Sequence, residues 1–522
     1  MPVADQPVRV DRDGPLPDSP VPLLITSPRG WSAERIVALQ RHACLGAVVT
    51  VVDAPDESDW AALVGADPGP VIEQGEVVVQ PTADPVARNV PTQVLARARV
   101  ATLLPRAGTR TVLETNLHLG QQAAVTVRQT GSGMVVGAAC LPGLTDPDDP
   151  VGAVLRRLWR GVATPATATL GIGIVGYGQH GGMGWLHGSA ATAVQGLHLA
   201  AIAELDPARR ADAGRRFTDV ALHDSVDGVL ADDAVDVVVA TPPSTHYDIA
   251  CRALHEGRHV VVEKPLCFTA AQADGLLHES ARADRLLTVH QNRRWDADYR
   301  AIRRLIAEGR IGEVFNVETF VGGFEHPCTM WHSDRTVSGG RLFDWGAHLI
   351  DQTLQLYDGV MPSEVSAIGH KRVWHDVTNL DQVRVRMRFD DGREAEFLDS
   401  DILAVRRPKY VIQGTSGTIV GTYQPLVDER VTAESGYQRR EHHHAEGPAR
   451  LTLTEHHPGW GLQSVDVPGL PAASFPFHRA LADHLQLGDP VPVDPADVRT
   501  VTAVLEAANI SAHDGGRTIP LS

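Results

Sequence analysis

The chain has 522 residues, a formal net charge of −17 and 43% hydrophobic residues. That length exceeds one ordinary core and predicts two or three domains. The acidic balance argues against nucleic acid or an anionic membrane as a partner, since both need concentrated Lys and Arg. No apolar run is long enough to span a membrane, and the first residues, with Asp5, Asp11 and Asp13, lack the basic and apolar parts of an export signal. The five cysteines are scattered with no CxxC pair, so neither a disulfide framework nor a metal site is expected, and a cytoplasmic setting fits best.

A Pro- and Asp-rich leader runs to about Pro22. Strands are predicted at Ala47 to Val52 and at Ala123 to Val127, the latter joined through Thr130-Gly131-Ser132-Gly133 to Met134 through Ala138. Residues 1–165 therefore read as a separate, accessory α/β domain, followed by a linker at Val162 to Thr169.

The apolar run Leu170 to Val175 reads as a buried parallel strand and runs into Gly176-Tyr177-Gly178-Gln179-His180-Gly181. Gly176 permits a tight turn, Gly178 lets the backbone approach a pyrophosphate, and Gly181 lets the next helix pack closely, with the anion at that helix's N-terminus. Glu204 ends the second apolar run, Leu197 to Ala203. A carboxylate there accepts from ribose hydroxyls and repels a 2′-phosphate, which favours NAD. Arg209 and Arg210 follow at once and keep NADP open. Further strands at Val235 to Ala240, His259 to Val262 and Leu286 to His290 alternate with helices at Arg209 to Phe217, Tyr247 to Glu256 and Thr269 to Ala283. This is a doubly wound parallel sheet over 166–291. Beyond it the texture changes: Val383, Val385, Met387 and Phe389 share one face of a strand that an Asp390-Asp391-Gly392 turn joins to Glu394 through Leu398. Residues 292–522 thus form a second α/β domain with a mostly antiparallel sheet, wet on one face, whose C-terminal segment packs back on the nucleotide domain.

From about Thr169 onward the sequence resembles the glucose-fructose oxidoreductase/inositol dehydrogenase (Gfo/Idh/MocA) family. The motifs are the glycine turn, Thr241-Pro242-Pro243-Ser244-Thr245-His246, Glu263-Lys264-Pro265, and Gly339-Gly340-Arg341-Leu342-Phe343-Asp344-Trp345-Gly346-Ala347-His348-Leu349-Ile350-Asp351. The resemblance implies hydride transfer between a nicotinamide cofactor and a sugar, inositol or related polyol, and homodimers or homotetramers built through the C-terminal sheet. Some relatives instead retain the cofactor for elimination or hydrolysis, and others are noncatalytic; both readings stay open. In the first block, Ala83 through Pro91 and the hairpin around Gly131 to Gly137 resemble the tail of trehalose-utilisation (ThuA-like) domains, but Cys44 has no nucleophile-elbow setting.

Alcohol oxidation needs a base at the hydroxyl while hydride leaves carbon. Asp344 and His348 stand at i and i+4, so on one helix they share a face, and the carboxylate can fix the imidazole tautomer. In the family the matching histidine is the general base and the aspartate touches substrate. Lys264, at a strand end, can bond the reacting oxygen. Thr241 and Pro242 are placed at the cofactor with the glycine turn. Glu263 is read as a contact to cofactor or backbone, and His246 as a helix-start residue or part of the nicotinamide pocket. Arg294, Trp331 and His332 are candidate substrate contacts. Asp351 reads as structural, paired with backbone or an arginine, and the histidines at 442 to 444 as a solvated loop.

Overall fold

The computed structural model describes residues 7–521 apart from 18, 27, 55–56, 73–75, 91–93, 98–99, 116–121, 139–149, 161–167, 179–181, 241–242, 328–330, 433–435, 443–445, 469 and 471–472. Gly181, Thr241, Pro242, His443 and His444 therefore lie outside the described residues. Two compact units are present. One comprises Met1–Thr169, Val194–Gly196 and Ala473–Pro490, the other Leu170–Ala193, Leu197–Ala472 and Val491–Ser522. No described helix is long and apolar enough to cross a membrane.

The first unit is built on a ten-stranded mixed sheet. Strands Val8–Arg9, Leu23–Ile25, Val48–Val52 and Gly133–Ala138 run parallel, and Gly133–Ala138 then pairs antiparallel with Gln122–Thr130 across the expected glycine turn. Side chains alternate across a strand. Val49 and Val51 accordingly pack with Ile36 and Leu39 of helix Ala33–Cys44 and with Trp60 of helix Ser58–Val64. Val48 and Val52 pack with Val154, Leu155 and Leu158 of helix Pro150–Trp159 on the opposite face. Cys44 is exposed at the end of its helix.

The division at residue 292 assigns everything after it to one domain, but helix Pro476–Leu487 belongs to the first unit. The reason is charge. Arg157, 2% exposed, bonds Asp483, Asp489 Oδ2 (3.0 Å from Nη2) and the carbonyls of Val86 (3.2 Å) and Arg88 (2.8 Å). Arg88 and Arg160 pair with the same two aspartates. Buried cations persist only when so compensated.

In the second unit a six-stranded parallel sheet has the order Ala221–His223, Leu197–Ala203, Leu170–Val175, Val237–Ala240, His259–Glu263, Leu287–His290. This is the doubly wound dinucleotide arrangement, with its switch point beside Leu170–Val175. A nine-stranded sheet follows, antiparallel except where Val314–Gly322 runs parallel to Glu394–Ser400. Val383, Val385, Met387 and Phe389 are buried against helices Gly346–Leu356 and Pro495–His513, as their alternation predicts. The opposite face carries Glu318, Arg384, Arg386, Glu396 and Arg407, linked by ion pairs. Helix Pro495–His513 also reaches the nucleotide fold: Glu506 Oε2 accepts from the Ala270 amide at 2.8 Å, and Arg499 pairs with Asp274.

Candidate active site

Strand Leu170–Val175 ends in Gly176, whose N–H donates to Ala203 at 2.8 Å. Gly178 has φ 57°, a left-handed conformation, and a Cβ there would project into open space. That clear surface over bare backbone fits a dinucleotide phosphate, with helix Met183–Ala193 following the turn. Tyr177 is buried and packs edge-on against Phe217, so it supports the turn from within. Glu204 stands where the ribose is expected, but its carboxylate already accepts from the amides of Gly178 (2.8 Å) and Asp206 (3.0 Å). Arg210 donates to the Glu204 carbonyl at 2.5 Å.

Lys264 lies where strand His259–Glu263 ends, and its ammonium donates to the Asp344 carboxylate and, at 3.4 Å, to the Asp344 carbonyl. The Lys264 side chain is 20% exposed and that of Asp344 34%. Burial alone would raise the Asp344 carboxyl, but Lys264 and then Arg341 hold it below the usual carboxylate range. The expected Asp344–His348 pairing is not formed. Helix Arg341–Asp344 stops at Trp345 and a new helix starts at Gly346, while the carboxylate turns to Lys264. His348 is buried, and its Nδ1 has no hydrogen-bond partner. Burial, then the cations Lys264 and Arg293, push its imidazole well below the usual histidine value. It is therefore a neutral imidazole at neutral pH.

The remaining candidates divide: Arg294 meets a different geometry, and Glu263 and His246 take one of the roles expected of them. Glu263 meets backbone, one of the two partners expected for it: the Lys264 amide donates to its Oε2 at 3.2 Å, while His187 (2.7 Å) and His290 (2.8 Å) share its Oε1. Arg294, expected at substrate, is instead buried and forked onto Asp351 (2.9 and 2.6 Å) with a third bond to Asp497 (3.2 Å), so its guanidinium is engaged within the fold. That pairing gives Asp351 its expected structural role. His246 opens helix His246–His255, and its Nδ1–H donates to the Pro265 carbonyl at 2.7 Å, bracing the residue after Lys264. Trp331 and His332 stack on each other with ring centroids 3.6 Å apart, and His332 is one of the groups near Asp344 that lower its carboxyl, after Lys264 and Arg341.

Sequence reasoning missed a group beside Asp344. Arg341, at the start of the same short helix, donates to Asp399 (3.1 and 2.8 Å) and pairs with Asp401 at 3.2 Å. Burial and the crowding of carboxylates raise both aspartates, Asp399 to about 7. The signal was present: Asp399 and Asp401 continue the inward parity of Ala395 and Phe397, where apolar residues are the rule.

Residues 170–291 match the oxidoreductase family with an NAD-binding Rossmann fold, and 299–420 match the GFO/IDH/MocA C-terminal domain. The chain is 26% identical over 365 residues to scyllo-inositol 2-dehydrogenase (NADP(+)) IolW of Bacillus subtilis, covering 68% of this chain and 96% of that enzyme. It is 28% identical over 280 residues to inositol 2-dehydrogenase of Rhizobium meliloti, covering 52% and 81%. Among solved structures, an NAD-binding protein from Listeria innocua aligns with a TM-score of 0.57 at 26% identity, over 67% of this chain and 97% of that one.

Proposed function

The chain belongs to the Gfo/Idh/MocA family of oxidoreductases and takes a nicotinamide dinucleotide; from that premise we propose that it oxidises, reversibly, a secondary alcohol of a cyclic polyol or sugar. The observation that carries this reading is the meeting, at the end of the fifth strand of the nucleotide sheet, of Lys264 paired to Asp344 with a neutral, buried His348 under the same ammonium's influence. A bound nicotinamide ring supplies the hydride acceptor. Lys264 holds the substrate oxygen and steadies the negative charge that grows on it as the proton leaves. His348 takes the hydroxyl proton on a ring nitrogen. Asp344 holds Lys264 in place and offers a carboxylate to a neighbouring hydroxyl. Trp331 and His332 border the substrate. Gly176, Gly178 and Glu204 serve the dinucleotide, with NAD preferred because Glu204 meets the ribose.

In this reading residues 166–291 bind the nucleotide and the second sheet serves substrate and assembly, the protein working as a cytoplasmic homodimer or homotetramer. Residues 1–165, joined by 473–490, are an accessory domain. The inositol dehydrogenases among its relatives make inositols the first substrates to try. The test is a screen of inositols, hexoses and acid sugars for reduction of NAD and NADP, with free nucleotide followed by absorbance. Turnover on a polyol with release of reduced nucleotide supports the reading; a cofactor that stays bound through turnover, with no net reduction, replaces it with elimination or hydrolysis.

A further inference from the structure

The proposed chemistry leaves the buried acid Glu263 without a task. Glu263, His187 and His290 are all buried, on three different elements: strand His259–Glu263, helix Met183–Ala193 and strand Leu287–His290. Glu263 and His290 are register partners on adjacent strands, and the two imidazoles lie 4.7 Å apart, both donating to one carboxylate oxygen. The other oxygen accepts the Lys264 amide. Burial would raise this carboxyl, but the two histidines hold it well below the usual range, so it remains an anion. Lys264 is consequently held at both ends, its amide by Glu263 and its ammonium by Asp344.

We infer that Glu263, clamped between His187 and His290, is the positioning residue for Lys264 and couples it to the helix that follows the glycine turn. The inference rests on the reading of Lys264 as the group that meets substrate. A glutamine cannot replace Glu263 well. It offers one acceptor oxygen where three N–H groups converge, and its own amide would face one of those donors. Moving the Lys264 amide shifts the ammonium relative to Asp344, and displacements of that kind weigh heavily on a positioned group.

The chain's only lysines are Lys264, Lys371 and Lys409, the last fully buried on Asp298, so the amine can be followed directly. The experiment is reductive methylation of the full-length protein with site-resolved mass spectrometry, taking Lys371 as the internal reference, with and without NAD. His187→Leu removes a donor to Glu263, His187→Gln returns one, and Glu263→Gln removes the charge. We expect Lys264 to be modified about threefold or more faster in His187→Leu and Glu263→Gln, as for a group freed locally, with His187→Gln near the wild type. NAD should slow the reaction at Lys264 in the wild type and not in His187→Leu. A Lys264/Lys371 ratio unchanged in both folded variants overturns the inference. Lys264→Ala, assayed on a polyol turned over by the wild type, separates the two claims. If that variant keeps its turnover while the labelling changes as expected, the positioning stands and the role of Lys264 falls; if it is inactive while labelling is unchanged, only the positioning falls.

Discussion

Arg157 in the first unit and Lys264 in the second are both cations held by aspartate, yet they are built for opposite ends. Arg157 spends its donors on two buried carboxylates and two carbonyls and is 2% exposed. Among the described residues the Lys264 ammonium meets only Asp344; its side chain is 20% exposed, and its partner's is more exposed still. Saturation makes the first a fastener. On the proposed reading, the second has only one carboxylate to share its ammonium with a substrate oxygen, which it can take up without first breaking the fold.

Removing one side of each pair should sharpen the contrast. Arg157→Ala strands Asp483 and Asp489 as buried charges and should destabilise the protein by about 3–5 kcal/mol, read from chemical denaturation; a loss near that of a surface arginine would break the comparison. Lys264→Ala should barely move stability, because its partner can be solvated, but should lower turnover about a hundredfold or more with nucleotide affinity kept. His348→Ala should lower turnover on the same scale with nucleotide affinity kept. Glu204→Ala should narrow the gap between NAD and NADP by about tenfold, the scale of one charged hydrogen bond, measured by titrating both nucleotides. The smallest effect concerns protons. Because the His348 pKa is depressed, the imidazole stays neutral as pH falls through the ordinary histidine range. The acid limb of kcat/KM for oxidation should therefore lie below about 6.5, and a limb at or above that value would remove His348 as the base. The same sign applies to stability: the unfolded chain takes up the proton first, so this contribution is present above about 6.5 and declines as pH falls.

The nucleotide half was legible because its signals are local. Strand, glycine turn and helix are contiguous, the Glu263-Lys264-Pro265 run closes a strand, and the alternation from Val383 to Phe389 needs no partner to be read. The rest turned on pairings across long stretches of chain. Arg294 looks like a cleft residue until Asp351, 57 positions away, is seen to hold it. The allegiance of the helix at Pro476–Leu487 depends on Arg157, 326 positions before Asp483. Asp344 and His348 obey the helical spacing on paper, and a break at Trp345 sends the carboxylate elsewhere.

That late helix also bears on how the protein is made. A chain emerging from the ribosome presents its N-terminal unit first, and domains usually fold in that order. Here the first unit cannot be completed until Ala473–Pro490 has been synthesised, so Arg157 must wait for its counter-charges while the whole nucleotide fold forms behind it. The unit begun first is finished among the last: its sheet is complete by Ala138, but the carboxylates that neutralise Arg157 arrive only with Pro476–Leu487 and Asp489.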